Sequence, residues 1–211
     1  MLNAIAAGAM MLSSLSAPVT GSGMHVVAPP DDMTVSVVYA NGSGCKPGTA
    51  AVEVSPDKRA FTVTYSAFTA QVGPEAKPTD FRKNCQLGLN VNVPPGYTYA
   101  IAQADYRGYA RLEQGASASQ RAFYYFQGMS HTTETNRSFH GFMDDTWQET
   151  DLVEVESLTW HPCGAKRYLN VNTDLRVKGG NSPKGTTSFI TMDSSDMSLT
   201  TIFRVTWAEC P

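Results

Sequence analysis

Two stretches of the chain, QLGLNVNVPPG (86–96) and YLNVNTDLRVKGG (168–180), alternate apolar and polar residues. Leu87, Leu89, Val91 and Val93 oppose Gly88, Asn90 and Asn92 in the first. Leu169, Val171, Leu175 and Val177 oppose Asn170, Asn172, Asp174 and Arg176 in the second. Successive strand side chains point to opposite faces, so a period of two requires a sheet with one dry side and one wet side. The same period marks 33–40, 51–73, 97–113, 152–160 and 198–207, while 120–128 is aromatic and extended. The run 51–73 reads as two strands about a turn at Ser55-Pro56-Asp57-Lys58, and Pro94-Pro95-Gly96 ends another strand. No segment carries a convincing helical period. Roughly eight to ten short strands separated by turn signals specify an all-β domain. One dry face per strand specifies antiparallel sheets packed face to face. The expected fold is an antiparallel two-sheet β-sandwich, jelly-roll-like, over residues 33–211.

Two segments fit this scheme less simply. At about 3.3 Å per residue the run 97–113 would exceed roughly 50 Å, long for one strand, so Gly108 is the expected bulge or bend. Residues 128–150 are polar and read as a long loop or hairpin region, of the kind that often carries function.

The 211 residues suit a single domain. The start, MLNAIAAGAMMLSSLSA (1–17), reads as a secretory signal peptide, although no Lys or Arg precedes its apolar run. Its serines interrupt it well short of the roughly 20 apolar residues that a membrane span needs, so no membrane segment is expected in the mature form. Residues 18–32 are a Gly- and Pro-rich flexible lead-in. Behind a signal peptide, the four cysteines read as two disulfides. Of three pairings, Cys45–Cys85 and Cys163–Cys210 join sequence neighbours and enclose compact runs of strands, so they are the expected ones. Asn41 and Asn136 begin glycosylation sequons. A net charge of −3 with 17% charged residues leaves no basic stripe for nucleic acid.

The stretches NGSGCKPGTAAVEVSPDKRAFTVTYSAF and RKNCQLGLNVNVPPGYTYAI carry a family resemblance, together with YRGYARL, WHPCG and LNVNTDLRV. With the terminal Trp and Cys, the chain resembles the domain-of-unknown-function family numbered 4360 from about Val35 to Cys210. That family comprises small secreted proteins of fungi and actinobacteria. The resemblance implies secretion, disulfides at the four cysteines and one compact domain. It brings no activity and no catalytic residues.

Candidate site residues come from the alternation itself. In ADYRGYARLEQGA (104–116), Asp105, Arg107, Tyr109, Arg111 and Glu113 fall on every second position. Arg107 and Arg111 could receive carboxylate or phosphate groups and Tyr109 could stack; equally, the row could be a solvated face laced with ion pairs. Tyr106 and Trp147 complete the expected binding set of Asp105, Tyr106, Arg107, Tyr109, Arg111 and Trp147, with the 128–150 segment beside it. Small residues at 100, 102, 104, 108 and 110 leave room for a bulky aromatic such as Phe123, Tyr125 or Trp160. His131, Glu134, His140, Asp144, Asp145, Glu149 and Asp151 gather polar groups without a metal-binding spacing, and no cofactor is implied. Asp105, Glu113, Glu154 and Glu156 are candidate acids for glycoside hydrolysis, with Glu154 and Glu156 sharing a strand face. These residues point first to a secreted, monomeric, non-catalytic protein that binds an extracellular glycan or protein. The alternatives are a small extracellular hydrolase acting on glycans through paired carboxylates, and a structural wall or matrix protein.

Overall fold

A computed structural model describes residues 24–192 and 200–211. The expected signal segment, 1–17, lies outside the described residues, as does the lead-in as far as residue 23. The described chain forms two antiparallel sheets packed as a sandwich. One sheet holds β2 (Thr34–Asn41), β6 (Arg82–Asn92), β11 (Leu169–Lys178), β8 (Ser117–Phe126) and β9 (Thr133–His140), in that spatial order. The other runs β3 (Ala50–Val54), β4 (Ala60–Tyr65), β13 (Thr200–Glu209), β7 (Tyr97–Leu112), β12 (Ser188–Thr191) and β5 (Thr69–Val72). To that eight-stranded sheet β1 (Val26–Val27) adds on β13, and β10 (Met143–Leu152) adds on β7.

The expected two-sheet, all-β fold with disulfides Cys45–Cys85 and Cys163–Cys210 is present. Its parts differ from expectation in five places. Val26–Val27, inside the expected flexible lead-in 18–32, form β1 and pair with Ala208 and Trp207 of β13. The run 97–112 is one unbroken strand of 16 residues. It has enough partners to stay extended: β10 along one edge, β13 and then β12 along the other. Its register irregularity lies opposite Arg204–Val205, skipping Ala102, and not at Gly108. The polar segment 128–150 is loop only over 128–132 and at the 141–142 junction; the rest is strand, and not a hairpin. Its strands β9 and β10 meet at Gly141-Phe142, but β9 pairs with β8 in one sheet and β10 with β7 in the other. The connection therefore arches from sheet to sheet. Residues 152–160 are not a strand: β10 ends at Leu152, Val155–Ser157 make a short 3₁₀ turn, and Trp160 makes a lone bridge to Ala100. The run 51–73 gives three strands rather than two, the third following the break at residues 66–68.

Both sheets turn their apolar positions inward. Leu87, Leu89, Val171, Leu175, Tyr124 and Phe126 face Phe61, Val63, Tyr65, Tyr99, Tyr106 and Phe203 in one cluster. Phe203 sits at its centre, stacked on Phe61 with centroids 5.1 Å apart and edge-on to Tyr124 of the opposite sheet at 6.0 Å. Tyr99 meets Phe126 across the same gap at 5.4 Å. Such aromatic pairs add about 0.5–1.5 kcal/mol each beyond burial. Interior packing of this kind leaves the alternate, polar positions of the strands on the two outer faces.

Candidate functional site

On the outer face of the eight-stranded sheet stands the row read from residues 104–116. Register sets Arg111 between Asp144 and Phe189, Tyr109 between Thr146 and Thr191, and Asp105 between Thr150 and Ile202. Arg107 and Arg111 are exposed and Tyr109 is half-buried. Two of these groups are engaged within the sheet: the Tyr109 hydroxyl donates to Asp144, and the Arg111 guanidinium lies 4.0 Å from the same carboxylate. Asp105 is only 4% exposed. It accepts from Thr150 Oγ1 at 2.7 Å, Gln103 Nε2 at 2.8 Å and Arg204 Nε at 3.3 Å. Burial pushes its carboxyl up, but these donors outweigh burial and hold it below the usual carboxylate range. Asp105 is thus committed to tying β7 to β10 and β13.

Two members of the expected set do not belong to that face. Tyr106 and Trp147, 1% and 5% exposed, point into the sandwich. Tyr106 is out of phase with Arg107 by one residue, which puts it on the other face. Trp147 pairs with Gly108 and packs on Phe139, with ring centroids 5.1 Å apart. The bulky neighbour of Gly108 is therefore Trp147, while Trp160, one of the three expected aromatics, bridges to Ala100, and Phe123 and Tyr125 lie on the opposite sheet's outer surface.

Inside the arch, Arg137 of β9 donates to Glu149 Oε2 at 2.9 Å and to Asp151 Oδ1 at 2.8 Å, both on β10. This clamp joins the edges of the two sheets. Burial pushes the Asp151 carboxyl above its usual range, with Glu149 and Asp105 adding, while Thr135 and Arg137 offset part of the effect. Glu154 and Glu156, expected to pair on a strand, instead flank Val155 at the 3₁₀ turn and are exposed. Among the described residues no group of three or more His, Cys, Asp or Glu is placed to hold a metal ion.

The outer face of the five-stranded sheet carries a second array of polar and aromatic side chains. Its side chains fall into cross-strand rows. The first is Tyr39, Gly88, Asn170 and Tyr125; the second is Gln86, Asn172, Phe123 and Glu134. Asn84, Asp174, Arg121 and Asn136 make the third, then Arg82, Arg176, Ser119 and Ser138 the fourth. Lys178, Ser117 and His140 end the series. Rows two residues apart along a strand are about 7 Å apart, so five rows span about 27 Å. The lower rows line a groove of about 290 Å³ that runs on into a second hollow of about 310 Å³, sharing Ser119, Asn136 and Arg176.

Local chemistry fixes the aromatic part of the face. The Tyr39 ring lies flat over Gly88, where a Cβ would collide with it, and its hydroxyl donates to Asn170 Oδ1 at 2.6 Å. Tyr39 remains 38% exposed. The Arg121 guanidinium sits 4.9 Å above the Phe123 ring and is bound by Glu134 at 2.6 Å. Sequence reasoning missed this site. The signal was the recurrence of Leu-Asn-Val-Asn at 89–92 and 169–172. Register places Leu169 opposite Leu89, so the two polar rows are neighbours on one surface. Both sequon asparagines, Asn41 and Asn136, are exposed, and Asn136 lines the groove.

The fold and its bridges define a class: an all-β sandwich stapled by two disulfides, suited to an oxidising compartment. Within that class the chain belongs to the family described as Domain of unknown function (DUF4360), whose model matches residues 31–210. It is similar to an uncharacterized secreted protein of Arthroderma benhamiae, 35% identical over 181 residues, which cover 86% of this chain and 73% of that one. With that relative and its disulfides, the chain is a secreted protein. Among solved structures, the enzymatically active domain of bacteriophage CBA120 tailspike protein 4 aligns at 13% identity and a TM-score of 0.24. The alignment covers 84% of this chain but only 19% of the tailspike chain. A likeness that low carries no argument about fold or activity.

Proposed function

We propose that this is a secreted, non-catalytic binding protein that takes an extracellular glycan along the outer face of its five-stranded sheet. One observation carries the reading: amides, a hydroxyl and an aromatic ring share a groove on one sheet face, with Asn172, Gln86, Asn84 and Ser119 beside Phe123. Sugars present an apolar ring face edged by hydroxyls. Aromatic rings meet the first, and amides that both donate and accept meet the second. These groups stand on strands, so little ordering entropy is lost on binding.

A hydrolase would require two carboxylates arranged about a cleft, about 5 Å apart for the retaining chemistry. Glu149 and Asp151 share a face, but both are hydrogen-bonded to Arg137. Their geometry favours a structural clamp.

The test is affinity electrophoresis in gels containing soluble polysaccharides. It is run on protein made without N-glycosylation, since a glycan on Asn136 would stand in the groove. Retardation by at least one polysaccharide is expected. Phe123→Ala and Asn172→Ala should each weaken it about tenfold, the equivalent of about 1.4 kcal/mol, with an unchanged melting curve. Arg107→Ala, on the opposite sheet, should leave it intact. No retardation by any polysaccharide, or equal loss from all three variants, would overturn the reading.

A further inference from the structure

The fourth and fifth rows of the same face hold an unusual concentration of cations. Arg82 and Arg176 stand directly opposite each other in the β6–β11 ladder. Like charges so placed repel, and a sheet retains them at a cost in stability. The nearest carboxylate on this face, Asp174, is taken by Arg82, whose Nε donates to it at 2.5 Å. Among the described residues neither Arg176 nor Lys178 has a carboxylate within ion-pairing distance. The Arg176 Nε is buried and makes no hydrogen bond, although a buried charged donor without an acceptor is costly. Around it stand Ser117, Ser119, Ser138, Asn136 and His140, all able to donate and none negative. The chain as a whole is acidic, with a net charge of −3, so this cationic hollow runs against the global balance.

We propose that this hollow receives an oxyanion substituent, the carboxylate or sulfate of an acidic sugar unit, with Arg176 as its principal ligand. The inference rests on the glycan-binding reading and names the substrate class for it. Arg176 is half-buried beneath the hollow, where a planar guanidinium matches the paired oxygens of either group. Lys178 adds an unpaired charge at the rim, and Ser119 lies beside Arg176 in the β8–β11 ladder. The amide and aromatic side chains of the first two rows would hold the rest of the chain, so the acidic unit sets both register and direction.

Two measurements on the oxidised, full-length chain, again made without N-glycosylation because Asn136 lines the hollow, test this. Calorimetric titration compares an oligogalacturonate, a chondroitin sulfate oligosaccharide and a neutral cello-oligosaccharide of equal length. At least one acidic ligand should bind tenfold or more tightly than the neutral one and weaken as salt rises. Arg176→Gln should remove that preference, and Lys178→Gln, at an exposed position, should reduce it with an unchanged melting curve. Equal affinity for acidic and neutral ligands would overturn the oxyanion site while leaving glycan binding in place. In the second measurement the Arg176 Nε–H resonance is followed by NMR with sodium glucuronate, sodium sulfate and glucose. A shift with either anion and none with glucose supports the hollow even where no oligosaccharide binds, an outcome that would sink only the broader reading. No shift with either anion overturns the proposal.

Discussion

Trp147 and Gly108 face each other across the β7–β10 ladder, and the indole occupies the space above the missing side chain. A Cβ at residue 108 would run into the Trp147 ring and the Thr191 carbonyl oxygen together. One is an aromatic ring in the core and the other is backbone, so neither yields easily. Gly108→Ala is expected to destabilise the fold by about 1–3 kcal/mol through overpacking, read as a lower urea midpoint at unchanged slope. An unchanged midpoint would mean that the ring has room to shift. This residue shows how far a single sequence reads. The row of small residues announces that something large lies on them, and it cannot say what, because the partner comes from a strand some forty positions away. The same limit applies to Tyr106. Alternation fixes that Tyr106 and Arg107 face opposite ways, but which of those faces is dry depends on the second sheet.

At the scale of elements, β7 and β10 carry two buried carboxyls with opposite behaviour. Asp105 is held below the ordinary carboxylate range by its donors Thr150, Gln103 and Arg204, despite burial. Its contribution is complete above the unfolded value of about 3.9 and is lost as pH falls through the lower folded value. Asp151 is pushed up by burial. Between about 3.9 and its folded value the folded chain binds more protons than the unfolded one, so stability falls as pH rises through that window. Each group can contribute a slope of at most about 1.4 kcal/mol per pH unit. Urea unfolding from about pH 2.5 to 7 should therefore show a shallower acid loss in Asp105→Asn and no decline above about pH 4 in Asp151→Asn. Curves parallel to wild type would remove both assignments. The arch holding Asp151 is also where the sequence is hardest to read. Strand β9 turns Thr133, Thr135, Arg137 and Phe139 inward, and only one of the four is apolar. A hydrophobic period cannot reveal a strand whose inward face is mostly polar. Strands β6 and β11 are the opposite case, since clean alternation made both legible. Their adjacency, and hence the groove, rests on pairing between segments some eighty residues apart.

For the whole molecule, the two disulfides close separate loops, with sequence separations of 40 and 47. Each such loop restricts the unfolded chain by about 4 kcal/mol in the chain-entropy model. That is a large part of the roughly 5–15 kcal/mol that stabilises a typical domain. The loops do not overlap in sequence, so their effects on the unfolded chain should add. Their environments differ sharply. Cys45 and Cys85 are buried in the core, Cys85 within β6, and a thiolate has no route to them while the sheets are packed. Cys163 is exposed in the segment after Trp160, and Cys210 follows the last residue of β13 at the surface. Exchange needs an attacking thiolate in line with the bond, so access decides which bridge opens first. Mild reductant at neutral pH should open Cys163–Cys210 first, giving a folded species less stable by about 4 kcal/mol, and Cys45–Cys85 should open only as this species unfolds. Timed alkylation with peptide mapping, beside thermal melts of the same samples, measures both steps. Simultaneous opening of the two bridges would show that the sandwich holds as one cooperative unit only while its C-terminal strand is pinned. Early opening of Cys45–Cys85 would show instead that the β2–β6 edge breathes faster than the C-terminus, and the groove beside it would then be the mobile part of the molecule.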